Sequence, residues 1–346
     1  MRRFSIALAA ALALGLGAAG PSAATVPGAN GRIAFIGDSD PTGGFDEDVF
    51  AINPDGSGLR QLTHSPDPDA VPVFSPNGRE IVFARELLGS RYQLYVMNAD
   101  GTGERRLTSN AWLDYFPTWS PDGQRIAFVR ESALEHGAIY VMNRDGTGER
   151  RLTDGSFAAA NPEFSPDGRS IAFDSGRGRP APDFVPHHLE VMDADGGHQR
   201  RIQGPPPDSY KPSWSPDGRT IAFEVRGQPI YAIYSMRADG TGVRRLTAPT
   251  MDAQDAAFSP DGRQIAFSVA GHGAFYRIFA MNPDGSNARE VTPAGINDGW
   301  NIGPDWGPRP RGGGGRPPHG HPQHPAHPRH PPHPAHPPHG KPRAAR

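Results

Sequence analysis

Residues 38–48, DSDPTGGFDED, gather Asp38, Asp40, Asp46, Glu47 and Asp48 in one short stretch. Calcium takes about six to eight oxygen ligands, and carboxylates at this density could supply several. Asp38, Asp40, Asp46 and Asp48 are therefore the candidate metal ligands. Their spacing fits no calcium-loop pattern, and acidic loops are often simply solvated. His187 and His188 end another variable stretch, DSGRGRPAPDFVPHH. With a carboxylate they could form an acid–base pair, but the sequence names no partner. A third feature is His321, His324, His327, His330, His333, His336 and His339, one at every third residue with proline between them. Histidine-rich tracts bind Zn, Ni or Cu. On a polyproline II helix these imidazoles would stand about 9 Å apart. Two ligands of one zinc, each at about 2.1 Å, cannot be that far apart, so the expected metal binding is weak. Protonation near pH 6 would instead add positive charge.

Other catalytic patterns are missing from the sequence. There is no G-x-S-x-G elbow and no H-E-x-x-H. GTGERR lacks the Gly-Lys-Ser/Thr ending of a phosphate loop. The chain has no cysteine, which excludes disulfides, thiolate metal sites and a cysteine nucleophile. No cofactor is expected apart from the calcium and tail-metal options.

The elements that would position these residues are repeats. FSPNGREIVF, WSPDGQRIAF, FSPDGRSIAF, WSPDGRTIAF and FSPDGRQIAF begin at Phe74, Trp119, Phe164, Trp214 and Phe258. A second phrase, typified by NADGTGERRLT from Asn98, alternates with the first. Its turn glycine falls at Gly56, Gly101, Gly146, Gly196, Gly240 and Gly285, a spacing near 45 residues. A period of this size signals a solenoid, propeller or array. Each period reads as four short strands. One ends in the aromatic-Ser pair, R-x-I-A-F alternates as the next, a third is typified by LYVMN, and ERRLT is the outer edge. Pro-Asp-Gly and Asp-Gly-Thr-Gly supply tight turns. Paired arginines suit an edge that must not pair with another chain.

The phrase occurs five times in full. A sixth copy is split: GRIAF opens the repeats at Gly31, and GPDWGP, from Gly303 to Pro308, closes them. The last strand is expected to complete the first blade and close the ring. The predicted fold is an all-β, six-bladed β-propeller of four-stranded antiparallel blades over residues 25–308. Residues 1–24 read as a signal peptide: Arg2 and Arg3, then a 14-residue apolar run from Ile6 to Ala19, then small residues before a cleavage point after Ala24. Residues 309–346 form a Pro/His/Arg-rich tail with the composition of a disordered segment. Tail and signal together hold nine basic residues and no acid, leaving 26 Lys/Arg against all 37 Asp/Glu in the body, a net of −11. Such a body is a poor nucleic-acid partner.

The repeats resemble the propeller domain of TolB and its WD-like relatives over residues 30–308. The α/β domain that precedes the propeller in TolB has no counterpart in this sequence. The resemblance implies a secreted binding propeller. Among the six copies the two tight turns are nearly constant, whereas the second-to-third strand loops and the blade connections diverge. Divergent loops on a rigid scaffold are where binding is built. The expected binding rim comprises Tyr115, Phe116, Asn161, Tyr210, Lys211, Asp255, Trp300 and Asn301. The expected partner is a protein or an anionic envelope polymer, met outside the cytoplasm by a monomer with no membrane span in its mature form. The alternative is a lyase or hydrolase acting on a carbohydrate or lactone, with a metal-assisted site in the channel.

Overall fold

The computed structural model describes residues 27–38, 47–87, 91–132, 135–176, 187–227, 230–271, 276–293 and 301–310. The signal segment, Asp40, Asp46, Trp300 and the tail from residue 311 lie outside them. Gly312–Arg346 is also a unit separate from Met1–Arg311. The described residues form six four-stranded antiparallel sheets and no helix.

Each sheet is a meander. Blade five runs Ser209–Trp214, Thr220–Arg226, Tyr231–Arg237 and Arg244–Arg245 from the channel outward. Its first turn is fixed by Asp217, whose Oδ1 accepts hydrogen bonds from Ser215 Oγ at 2.6 Å and the Arg219 amide at 3.1 Å. Gly218 follows at φ 67°, a conformation that a side chain resists. In the second turn Asp239 Oδ1 accepts from the Thr241 amide and hydroxyl at 2.9 and 2.7 Å. The repeated aspartates are thus turn acceptors.

The outer strand is shorter than ERRLT suggests, at only two residues in every blade. The ladder stops because the following pair turns inward. Leu62, Leu152 and Leu246 are buried, and the threonine hydroxyl takes a third-strand amide, as when Leu94 N–H donates to Thr108 Oγ1 at 3.0 Å. The arginines also do more than guard an edge. Arg105, Arg150, Arg244 and Arg289 each donate to a backbone carbonyl in the next blade's turn, those of Arg144, Asp195, Pro283 and Pro54, at 2.8–3.1 Å.

The ring closes as the split phrase predicts. Ile302–Pro308 is the innermost strand of the sheet that contains Asn30–Asp38, with Ile33 opposite Trp306 and Ala34 opposite Asp305. The Phe74 amide donates to buried Asp305 Oδ2 at 2.8 Å, which ties blade one to blade two. On the other side Gly28 N–H donates to Pro260 O at 2.9 Å, and Asn30 Oδ1 accepts from the Asp261 amide at 3.1 Å.

This closure can be tested by truncation. Ending the chain at Asn301 should abolish the cooperative melt or cause aggregation, since blade one loses its inner strand. Ending it at Arg311 should leave the melting temperature of the full chain unchanged. Calorimetry of the two truncations checks both outcomes.

Candidate functional site

The six innermost strands share one irregularity. Register slips occur in the same place in each, between Ala70 and Val73 in blade two and at the equivalent positions elsewhere. One residue at each slip takes a left-handed conformation: Val71, Phe116, Asn161, Lys211, Asp255 and Gly303, at φ 48–65°. Only one of these is glycine. For the others the geometry is unfavourable by about 1–2 kcal/mol each, and valine, being β-branched, is the most unusual occupant. Proline follows in five of the six strands. It is tolerated because an innermost strand has a ladder partner on one side only. Such strain persists only where the surrounding structure over-determines it, as the packed inner strands do here.

The ring has two chemically different halves. The residue after the I-A-F or I-V-F triplet decides which. In blades four, five and six it is Asp174, Glu224 and Ser268, and each caps the strained amide of the following blade. Lys211 N–H donates to Asp174 Oδ1 at 3.1 Å, Asp255 N–H to Glu224 Oε2 at 3.2 Å, and Gly303 N–H to Ser268 Oγ at 3.2 Å. In blades one, two and three the same position holds Ile36, Ala84 and Val129, all buried among apolar neighbours.

The polar half is dense. Lys211 Nζ lies 2.7 Å from Asp255 Oδ1 and 3.7 Å from Glu224 Oε2, with all three side chains buried. Burial works against the ammonium, but Asp255 and Glu224 hold its pKa above the usual lysine value. Burial pushes the Glu224 carboxyl up to about 7, against the pull of Lys211. Asp174 is fully buried and also accepts from Asn161 Nδ2 at 2.6 Å. His187 Nδ1 lies 2.9 Å from its other oxygen, and the imidazole stacks on Tyr210 at 4.8 Å. The partner that the sequence could not name for His187 is Asp174. His188 instead meets Glu190, at 3.1 Å.

The apolar half carries Val71 and Phe116, with Tyr115 edge-on to Phe116 at 4.7 Å and its hydroxyl donating to Glu131 at 2.8 Å. Trp112, one residue before the inner strand Leu113–Trp119 of blade three, is the one exposed large apolar side chain among the described residues, 41% exposed. Its backbone is pinned at both ends: its amide donates to Asn110 Oδ1 and its carbonyl accepts from Gln93 Nε2, each at 2.8 Å. Sequence reasoning missed Trp112, Asp174 and Glu224. Asn301, which it named, is buried and donates to the Tyr276 carbonyl.

The acidic stretch is divided between two strands. Asp38 faces Glu47 and Gly37 faces Asp48. Asp48 is fully buried and accepts from Gln61 at 2.8 Å and Thr63 at 2.9 Å. Among the described residues no group of three or more His, Asp or Glu side chains is arranged to hold a metal. Glu47 is pushed up to about 7 by burial, then by Glu86, Asp38 and Asp69. Burial likewise raises Asp69 to about 6 despite its Arg85 partner.

With this geometry in place, likeness to known proteins is informative. Residues 185–310 match the family described as the TolB beta propeller domain. No curated protein sequence matches the chain. Among solved structures it is similar to TolB from Acinetobacter baumannii, at 22% identity over 81% of this chain and 67% of that one, TM-score 0.70. It is similar to Kuenenia stuttgartiensis hydrazine synthase at 16% identity, over 82% of this chain and 48% of that one, TM-score 0.64. It also resembles a chain of a Nidogen/Laminin complex at 11% identity, over 80% and 98%, TM-score 0.62. The ring is a TolB-like six-bladed propeller, and at these identities the likeness is one of fold.

Two stability measurements check the electrostatics. Lys211→Met leaves Asp255 and Glu224 buried without their cation and should destabilise by about 3–5 kcal/mol at pH 8, and by less at pH 5.5, where Glu224 is protonated. Glu47 binds its proton more tightly folded than unfolded, so its contribution falls as pH rises from its ordinary 4.5 through about 7. Glu47→Gln should therefore raise stability at pH 8 by about 1–3 kcal/mol and leave it nearly unchanged below pH 4.5.

Proposed function

We propose that the protein is an extracytoplasmic binding propeller that takes a segment of a partner protein at the variable-loop end of its channel. The carrying observation is the strained ring. Its backbone geometry recurs in all six inner strands, while its side chains differ at every position. A structural device would keep one residue type, glycine above all. Varied side chains on a fixed, strained scaffold suit recognition.

The two halves of the ring suggest what is recognised. Val71 and Phe116 are buried in the apolar core, so exposed Trp112 is the apolar contact on offer, and aromatic anchors dominate binding energy at interfaces. The opposite half holds a buried polar cluster around Lys211, with the partly exposed His187 imidazole beside it. A peptide segment with an apolar face and a polar, hydrogen-bonding face fits this division better than a uniformly charged polymer does. The apolar run behind Arg2 and Arg3 supports export, and the chain needs no cysteine for use in an oxidising compartment. A monomer suffices for such a role.

One observation favours the enzymatic alternative. Asp174 orients His187 through Nδ1, as an acid–base pair would require. A lyase or hydrolase acting on a carbohydrate or lactone would use that imidazole at the channel mouth. Turnover of such a substrate that is lost in His187→Ala would establish this reading in place of binding.

The binding reading is tested with Trp112→Ala. The side chain is exposed, so the melting temperature should not change. Capture of the partner from intact envelope should fall at least about tenfold, in keeping with loss of an aromatic anchor. Undiminished capture by Trp112→Ala and by Tyr115→Ala would move the site away from this rim.

A further inference from the structure

The sequence holds two Asn-Gly pairs, Asn30–Gly31 and Asn77–Gly78. Both lie at the seam of the ring. A Cβ placed on either glycine would collide with the carbonyl oxygen of Pro308, the last residue of the closing strand. Beside the first pair, Arg309 N–H donates to Ala29 O at 2.7 Å. Asn30 Oδ1 accepts from the Asp261 amide, as described above.

Asn-Gly is open to one particular reaction, because a glycine has no Cβ to hinder its nitrogen. That nitrogen attacks Cγ of the asparagine side chain. An N–Cγ bond forms, the side-chain nitrogen leaves as ammonia, and a cyclic imide results. Water then opens either carbonyl of the imide, giving aspartate or isoaspartate. The whole sequence consumes one water, releases one ammonia and changes no oxidation state.

Asn77 stands where the other four turns of its kind carry Asp122, Asp167, Asp217 and Asp261. The residue is exposed, yet its reacting groups are engaged. Its Oδ1 accepts from Ser75 Oγ and the Arg79 amide at 2.9 Å each. The nucleophile, Gly78 N–H, donates to Ser75 O at 2.8 Å. Gly78 is held at φ 68°, with the Pro308 carbonyl where a side chain would be. Imide formation requires the Gly78 amide to leave Ser75 and the turn to rotate, and Pro308 stands in the way.

We propose that Asn77 and Asn30 are deamidation sites that closure of the ring keeps shut, and that they react when the last strand leaves the seam. The two products at residue 77 differ in their consequences. Aspartate is what the other four turns use, accepting from a serine hydroxyl in the same way, so that product can close again. Isoaspartate routes the main chain through the side-chain carbon and lengthens the turn by a methylene. It cannot keep Gly78 on both Ser75 and Pro308, so an opening that ends in isoaspartate becomes permanent.

The full-length protein is incubated at pH 8, and peptide mapping by mass spectrometry follows Asn, Asp and isoaspartate at residues 30 and 77. Both sites should react at least roughly a hundredfold more slowly in the native protein than in urea that unfolds it. Asp305→Ala removes the acceptor of the Phe74 amide, which ties the closing strand to blade two, and leaves both Asn-Gly pairs intact. In native buffer it should speed both sites by at least about tenfold. Glu163→Ala removes the same kind of bond between blades four and five, where Glu163 Oε1 accepts from the Trp214 amide at 2.9 Å. It should change either rate by less than about twofold. Should Asp305→Ala fail to fold, urea below the unfolding transition of the unaltered chain takes its place, and both sites should then accelerate together with the same dependence on urea. Native rates equal to unfolded ones, no acceleration by Asp305→Ala, equal acceleration by the two variants, or acceleration at one site alone overturns the proposal.

Discussion

Every blade of this protein buries both faces of its sheet, and only another blade can cover them. Six apolar clusters fill the ring, and each joins neighbouring blades. At the centre of each lies the phenylalanine of the repeated triplet: Phe35, Phe83, Phe128, Phe173, Phe223 and Phe267, none more than 1% exposed. Burying such a ring contributes about 1.5–3 kcal/mol relative to leaving it in water. A sheet with two apolar faces cannot end in solvent, so the array must return to its start. The split first blade, the arginine struts and the Asp305 bond across the seam all follow from that requirement.

The same closure makes the channel mouth a place where strain can be kept. Inner strands that pack on both neighbours cannot relax one bulge without disturbing the next. The caps from Asp174, Glu224 and Ser268 show how the strained amides are satisfied in half of the ring. The other half uses the same backbone with Ile36, Ala84 and Val129 at the capping position, so one scaffold accommodates two different local chemistries.

Much of the fold is legible in the sequence because turns leave strong local marks. Pro-Asp-Gly and Asp-Gly-Thr-Gly need particular residues whatever surrounds them, and even the shared blade is visible in the stranded GRIAF and GPDWGP. The outer strand was overestimated because ERRLT looks like five equivalent positions, whereas Leu and Thr serve the neighbouring strand and core. The site was less legible. Asn161, Lys211 and Asp255 could be picked out as inner-strand residues at the mouth, but their burial and mutual contacts could not. The informative position, after the triplet, is a single residue per copy, and its meaning depends on a cap reaching into the next blade. The Arg85–Asp69–Glu104 and Arg130–Asp114–Glu149 clusters teach the same lesson. Their members stand far apart in sequence, yet all three occur in blades two and three, and none of the equivalent positions in the other four blades carries an acid or an arginine. Comparing copies within the chain at matched positions would have exposed both sets.

The borrowed strand also sets a clock. During synthesis Asn30–Asp38 and its two outer partners appear first, and Ile302–Pro308 follows roughly 240 residues after Gln61. At about 5–20 residues per second the interval is roughly 12–50 s. Throughout that time the inner edge of the first sheet has amides and carbonyls without a partner, a state that invites pairing with the wrong strand. Whatever machinery handles the emerging chain must shield one particular edge, at one particular end, until the final strand arrives.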